Sequence, residues 1–159
     1  MARPSEELEF DAVEPSAVLA HMERLGAGHR GWVNLQPGIR EEDAPPPPTA
    51  VGLVFSSDLY EVPVCTWVAG NMTRHGLVAD SLGLQHATGP RVVARLASLG
   101  LALPDGWRWV QDHPRRGLVV RPPMGTPYGD ELRWLLDAGA ALSGVPLTGT
   151  WRALVYEGR

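Results

Sequence analysis

The order of apolar and polar residues divides the chain into short segments of helical or strand character. In three segments the apolar residues recur every three or four positions, which is the spacing of a helix with one buried face. Each of these segments starts near a proline, which suits the first helical turn, and ends at a glycine. The predicted N-cap is Thr88 or Gly89 in the second helix and Thr126 in the third. The prolines that open the three helices are Pro15, Pro90 and Pro127.

Runs rich in β-branched and aromatic residues predict the strands. The clearest case is a hairpin at residues 107–123, in which two such runs flank a polar turn at residues 112–117. Because most successive strands are joined by short connections, we expect a mostly antiparallel sheet of about six or seven strands. With three helices packed mainly on one face, the predicted fold class is α+β. The other predicted strands lie at residues 31–35, 51–55, 62–68, 77–85 and 151–156.

The remaining segments are polar or rich in proline. Residues 1–14 carry five acidic side chains against Arg3 and are interpreted as an acidic, flexible tail. Residues 36–50 combine a charge run with four consecutive prolines, which predicts an exposed loop or, alternatively, a ligand for a proline-recognition domain. Because the residues ahead of this loop are too few to form a core, residues 15–159 are predicted to form a single domain.

The composition excludes several classes of protein. With 44% hydrophobic and 20% charged residues, the chain is typical of a globular protein. It has neither a membrane-length apolar run nor a signal-peptide pattern, so we expect a cytoplasmic location and no membrane contact. All 14 basic residues are arginine, which indicates a bacterial genome of high G+C content. The net charge of −4 resides in residues 1–14, and the neutral remainder argues against nucleic-acid binding.

Known catalytic and cofactor motifs are missing from the sequence. The five histidines show no i,i+4 or His-x-His spacing, so no metal site is predicted. A nucleophile elbow, a phosphate-binding P-loop and a dinucleotide fingerprint are all absent, and no cofactor is predicted. Cys65 stands alone in an apolar strand and is interpreted as an inert core residue.

The junction between the fourth predicted strand and the second helix is the first candidate site. Unpaired N–H groups at a helix N-terminus, here near Thr88 and Gly89, suit a phosphate or carboxylate. Arg91 would add a bidentate donor, and His86 would serve as an acid or base. The alternative interpretation is an ordinary capped helix with an exposed arginine.

The tip of the hairpin is the second candidate site. Asp112 and His113 are candidates for an acid/base pair, and Arg115 and Arg116 for an anion clamp. The alternative is a turn in which the aspartate accepts hydrogen bonds from backbone N–H groups.

Two tryptophans complete the set of candidate residues. Trp107 and Trp109 stand two apart and therefore on one face of a strand. Core packing is their default role, whereas an exposed pair would line a ligand site or the interface of a homodimer.

Arginines are concentrated in the central third of the chain, which contains six arginines and two aspartates and therefore has a local charge of +4. Our leading hypothesis is a binding or regulatory module that holds an anionic small molecule or a protein partner through this region. The alternative is a small enzyme for a carboxylated or phosphorylated metabolite, with a histidine acid/base and an arginine clamp. The six residues are Arg91, Arg95, Arg108, Arg115, Arg116 and Arg121.

Overall fold

Short strands with apolar residues at alternate positions form the framework of the protein. The computed structural model describes residues 2–46 and 60–158. Nine strands lie in these ranges: β1 (Glu6–Asp11), β2 (Trp32–Pro37), β3 (Val64–Val68), β4 (Met72–Thr73), β5 (Gly76–Leu77), β6 (Ser81–Gln85), β7 (Arg108–His113), β8 (Gly117–Arg121) and β9 (Thr150–Tyr156). Seven of them form one sheet in the order β1-β9-β2-β3-β6-β8-β7, and β4 pairs with β5 in a separate hairpin.

The register of the seven-stranded sheet places its apolar residues on one face. Val33 lies opposite Trp67, Trp67 opposite Leu82, and Leu82 opposite Val120, and all four are buried. Because paired residues share a face, these contacts define a single apolar layer that crosses the sheet. The other face carries half-buried or exposed residues and is more polar, as where the Thr66 hydroxyl donates to the Asn34 side chain at 3.0 Å.

Three helices cover the apolar face of the sheet: α1 (Ser16–Ala27), α2 (Val92–Ser98) and α3 (Tyr128–Ala141). Their buried residues join those of the sheet in one hydrophobic core. The α3 helix lies over β3, where the Cys65 thiol points at the Leu135 carbonyl at 3.6 Å. All neighbouring strands in the large sheet are antiparallel, so the predicted α+β class is confirmed.

The prediction of a flexible N-terminal tail is wrong over Glu6–Asp11. These residues form β1, an edge strand that pairs with β9 along its whole length. Phe10 is buried opposite Trp151, and Leu8 lies opposite Ala153, while the intervening glutamates face outward. Only two apolar residues alternate with the acidic ones, so the alternation that indicates a strand is weak. The high acidic content, on which the tail prediction was based, is the stronger pattern in this segment.

The predicted starts of the second and third helices are also wrong. Arg91 is the N-cap of α2 with a left-handed φ of 59°, so Thr88 and Gly89 both lie outside the helix. The α3 helix begins at Tyr128 without a side-chain cap, and the Thr126 hydroxyl donates backwards to the Pro123 carbonyl at 2.7 Å. Local propensity therefore predicted where these two helices lie but did not predict their N-cap residues correctly.

The proline-rich loop is described only in part. Residues 36 and 37 complete β2, and Glu41–Asp43 form a short 3₁₀ turn near the protein surface. The predicted strand at residues 51–55, like the last residues of the 36–50 loop, lies outside the described ranges. Within those ranges no helix is long and apolar enough to cross a membrane.

Candidate functional site

His86, the first acid/base candidate, is enclosed in the protein. His86 is only 2% exposed and directly follows the last residue of β6. Nδ1 accepts the Thr88 backbone N–H at 3.3 Å and lies 2.9 Å from the Thr88 hydroxyl, while Nε2 is buried without a partner. Burial lowers the pKa of His86, and the charge of Asp112 only partly opposes this effect. The imidazole is therefore neutral at pH 7 and shielded from solvent.

The N-terminus of α2 already holds a carboxylate from the protein itself. Asp112 accepts the N–H groups of Val92 and Val93, one on each oxygen, at 3.1 Å. This carboxylate satisfies two of the donors that we had assigned to an anionic ligand. Arg91 is exposed beside it, and Gly89 lies in the preceding loop with a φ of +83°.

The hairpin tip is held together by hydrogen bonds of its own. Nδ1 of His113 accepts the backbone N–H groups of Arg115 at 3.1 Å and Arg116 at 3.2 Å. Because Asp112 caps α2 while His113 closes the turn, the two side chains are engaged separately. The structure does not join them in a hydrogen bond within the described residues. Arg115 and Arg116 are exposed at the tip.

Trp107, which directly precedes β7, and Trp109, which lies within this strand, have different environments. Trp107 packs against Trp134 of α3, with ring centroids 5.7 Å apart, and both line a cavity of about 320 Å³. The indole N–H of Trp134 is buried there without a partner. Trp109, by contrast, is 55% exposed at the edge of the sheet.

A groove of about 480 Å³ lies at the ends of β7 and β8. Arg108 and Arg121 face one another there as directly paired residues of the two strands. The Nε atom of Arg121 is buried without a hydrogen-bond partner, whereas Arg108 is exposed. None of the ion pairs in residues 2–46 and 60–158 involves either arginine. The remaining walls are formed by residues 77–79, Gly106 and residues 122–124.

A smaller cavity of about 100 Å³ adjoins this groove and shares residues 77–79 and Met124 with it. Its polar wall consists of Asp80, His29 and Tyr128. The Tyr128 hydroxyl lies so close to Gly26 of α1 that a methyl group there would overlap it. The absence of a side chain at residue 26 therefore allows Tyr128 to occupy this position.

A pair of carboxyl groups lies at the small cavity, with Glu131 buried and Asp80 half-buried in the cavity wall. Glu131 is 1% exposed, accepts the indole N–H of Trp67 at 2.7 Å and shares a hydrogen bond with Asp80. Burial, and then the charge of Asp80, raises the pKa of Glu131 to about 8. Burial also raises the pKa of Asp80, although hydrogen bonds from Gly70 and Glu131 act in the opposite direction. Glu131 is thus protonated at neutral pH and donates to the Asp80 carboxylate.

The other two polar residues of the small cavity interact with this pair. Burial, followed by the charges of Asp80 and Glu131, raises the pKa of Tyr128. His29 follows α1 with a φ of 50°, a left-handed conformation in which glycine is more usual. Its charge, when protonated, favours the ionised form of Asp80. The cavity therefore combines a carboxylate, a phenol and an imidazole.

Sequence analysis did not identify these polar residues as a site. Sequence analysis did not single out Glu131, although it is three residues after Tyr128 and four before Leu135 on the buried face of α3. An acidic residue at such a core position is the signal that would have singled it out. Asp80 offers no comparable signal, because it meets Glu131 only after β3 and β6 have paired beneath α3.

No known protein family, curated protein or solved structure matches this chain. Among the residues that the structure describes, no group of three or more His, Cys, Asp and Glu side chains is arranged to hold a metal ion. The geometry of the groove and of the adjoining cavity is therefore the basis for a functional proposal.

Proposed function

We propose that the protein binds a small anionic molecule in the groove between Arg108 and Arg121. The observation that carries this proposal is the guanidinium group of Arg121, a residue of the groove wall: its Nε is buried without a hydrogen-bond partner, and it forms no ion pair among the described residues. Leaving a buried donor unsatisfied costs about 1–3 kcal/mol, and more for a charged group. An anion in the groove would neutralise the charge of this guanidinium group and accept hydrogen bonds from its other N–H groups.

The pairing of the two arginines supports the same proposal. Like charges directly opposite one another on neighbouring strands are destabilising. Arg108 and Arg121 occupy such positions without an ion-pair partner among the described residues. A carboxylate or phosphate between them would accept hydrogen bonds from two planar guanidinium groups, which are suited to bidentate contacts.

An enzyme that acts on such an anion is the second candidate function. Titratable groups with perturbed pKa values beside a ligand cavity are common in active sites. Asp80 and Glu131 meet this description, whereas His86 is enclosed and His113 closes a turn. In this alternative, Asp80 rather than a histidine would exchange a proton with a substrate whose anionic group binds to the arginines.

Thermal unfolding and calorimetric titration with phosphate, succinate and citrate test the binding proposal. A ligand at about 100 times its dissociation constant adds about 2.7 kcal/mol, which raises the unfolding midpoint of a domain of this size by roughly 5–10 °C. We expect Arg108→Met and Arg121→Met to abolish this shift. Arg115→Met and Arg116→Met, which remove the same charge at the hairpin tip, serve as matched controls and should leave the shift unchanged.

The result also discriminates between the groove and the site suggested by the sequence. If the hairpin-tip variants lose the shift and the groove variants retain it, the anion binds at the tip and the groove proposal is wrong. If none of the three anions shifts the midpoint of the wild-type protein, the proposal is likewise contradicted, and a protein partner becomes the favoured hypothesis.

A further inference from the structure

We infer that the ligand of this groove is bipolar, with a primary ammonium group that binds to Asp80 and an anionic group that binds to Arg108 and Arg121. This inference rests on the proposed function and extends it to the chemical class of the ligand. It follows from the opposite charges that line two adjoining cavities rather than from the arginines alone.

The two cavities adjoin one another and are lined by residues of opposite charge. Residues 77–79 and Met124 line both of them, so the two cavities adjoin along this stretch of the chain. Arg108 and Arg121 line the wide part, and Asp80 lines the narrow part. A purely anionic ligand that extended along this space would bring its second negative charge toward a carboxylate.

Asp80 has unused acceptor capacity on its side of the cavity. One of its oxygens accepts the Gly70 N–H, and the carboxylate also accepts a hydrogen bond from Glu131. An ionised carboxylate offers about four acceptor positions, so about two remain for a ligand. No ion pair within the described ranges involves Asp80. A primary ammonium group, with three donors, would supply the missing cation.

The other polar groups of the small cavity also suit an ammonium group. Tyr128 lies in the cavity wall, and a phenolic oxygen can accept a hydrogen bond. Glu131 is protonated at neutral pH, so its hydrogen bond acts to lower the pKa of Asp80 without placing a second negative charge beside the ligand. The volume of about 100 Å³ admits a small polar group but not a bulky one.

The length of the shared wall limits the length of the ligand. Ala79 lines both cavities and directly precedes Asp80, and consecutive Cα atoms are only about 3.8 Å apart. The ammonium and the anionic group are therefore joined by a short chain of several bonds. An ω-amino acid or an ω-aminoalkylphosphonate has this arrangement.

Calorimetric titration of the full-length protein with ω-aminoalkylphosphonates of increasing chain length tests the inference. Each is compared at about pH 7.4, where a primary amine is charged and an ordinary histidine mostly neutral, with the alkylphosphonate of the same length. A charge-assisted hydrogen bond should improve the affinity of the best aminoalkylphosphonate about tenfold or more over its partner. Asp80→Asn should abolish this gain and leave the affinity for the alkylphosphonates essentially unchanged.

A second comparison does not depend on a variant that must fold. Trimethylation of the amine preserves its charge but removes its N–H donors and makes it too bulky for the narrow cavity, so the gain should disappear with the wild-type protein. Equal affinity of the amino and alkyl series at every chain length would overturn the inference, as would a gain that survives trimethylation. If alkylphosphonates bind, if this binding depends on Arg121, and if the amine adds no affinity, then only this inference fails and the proposed function stands. If no phosphonate binds, the proposed function fails with it.

Discussion

Replacing Glu131 with glutamine is expected to remove most of the pH dependence of stability that arises in the buried carboxyl pair. The protonated Glu131 donates a hydrogen bond to Asp80 and accepts one from the indole N–H of Trp67. A glutamine amide can make both contacts, because its NH₂ group donates and its carbonyl accepts. The substitution therefore keeps the size and hydrogen bonds of the protonated side chain but cannot ionise.

The sign of the effect follows from the direction of the shift. Because the folded protein raises the pKa of Glu131 from an ordinary value of 4.5 to about 8, the stabilisation is fully present below about pH 4.5. It is lost progressively as the pH rises from about 4.5 through about 8, since over this range the unfolded chain has released the proton that the folded state still binds. After allowance for screening by water in the adjoining cavity, this loss is on the order of 3 kcal/mol.

Urea unfolding at intervals between about pH 5 and pH 9 measures this loss, because the free energy of unfolding is obtained at each pH. We expect the wild-type protein and Glu131→Gln to be similarly stable near pH 5 and the variant to be more stable near pH 9. The difference corresponds to roughly 6–12 °C in the unfolding midpoint. Asp130→Asn, which removes an exposed carboxylate from the same helical turn, is the matched control and should follow the wild-type profile.

Two results would refute this reasoning. Parallel pH profiles for the wild-type protein and Glu131→Gln would show that Glu131 does not carry the raised pKa. A variant that is less stable by the same amount at every pH would show that the carboxyl group is required for packing or geometry rather than for its proton.

Two further predictions concern the residues around α2. His86→Asn keeps an acceptor for the Thr88 N–H but removes a base whose pKa is lowered by burial. The wild-type protein should lose stability below about pH 6.5, and the variant should retain it. Urea unfolding near pH 5 and pH 7 measures this difference. Equal acid sensitivity of the two proteins would contradict this. Asp112→Ala should cost about 1–2 kcal/mol at pH 7, because it uncaps α2. Asp105→Ala, an exposed loop residue, is the control, and an equal loss there would refute the cap.

The fold class could be predicted because its determinants are local and repeated. Alternation in segments such as Trp32–Pro37 and Thr150–Tyr156 identifies strands that bury one face, and the spacing of leucines in α3 identifies a helix. Short connections then favour antiparallel pairing, and the sheet has the predicted character. The strand at Glu6–Asp11 was missed because two apolar residues among four acids give a weak pattern whose meaning depends on β9.

The candidate site was predicted much less well, since its parts meet only through tertiary structure. The excess of arginine in the central third pointed toward an anion, and two of the arginines counted there line the groove. Sequence could not show that Arg108 and Arg121 are paired across strands, because that depends on the bulge in β7. Nor could it show that the Asp112 carboxylate, which we considered as an acid or base, accepts hydrogen bonds from the first turn of α2.

The acidic residues of β1 have a further consequence for contacts between copies of the protein. β1 and β7 are the two edges of the seven-stranded sheet, and an edge strand offers free N–H and C=O groups to any other strand. Four carboxylates in Glu6–Asp11 would repel the same edge of a second molecule. At the opposite edge, the bulge between Trp109 and Gln111 interrupts the regular spacing that strand addition requires. Charge at one edge and irregular geometry at the other thus oppose growth of the sheet from one molecule into the next.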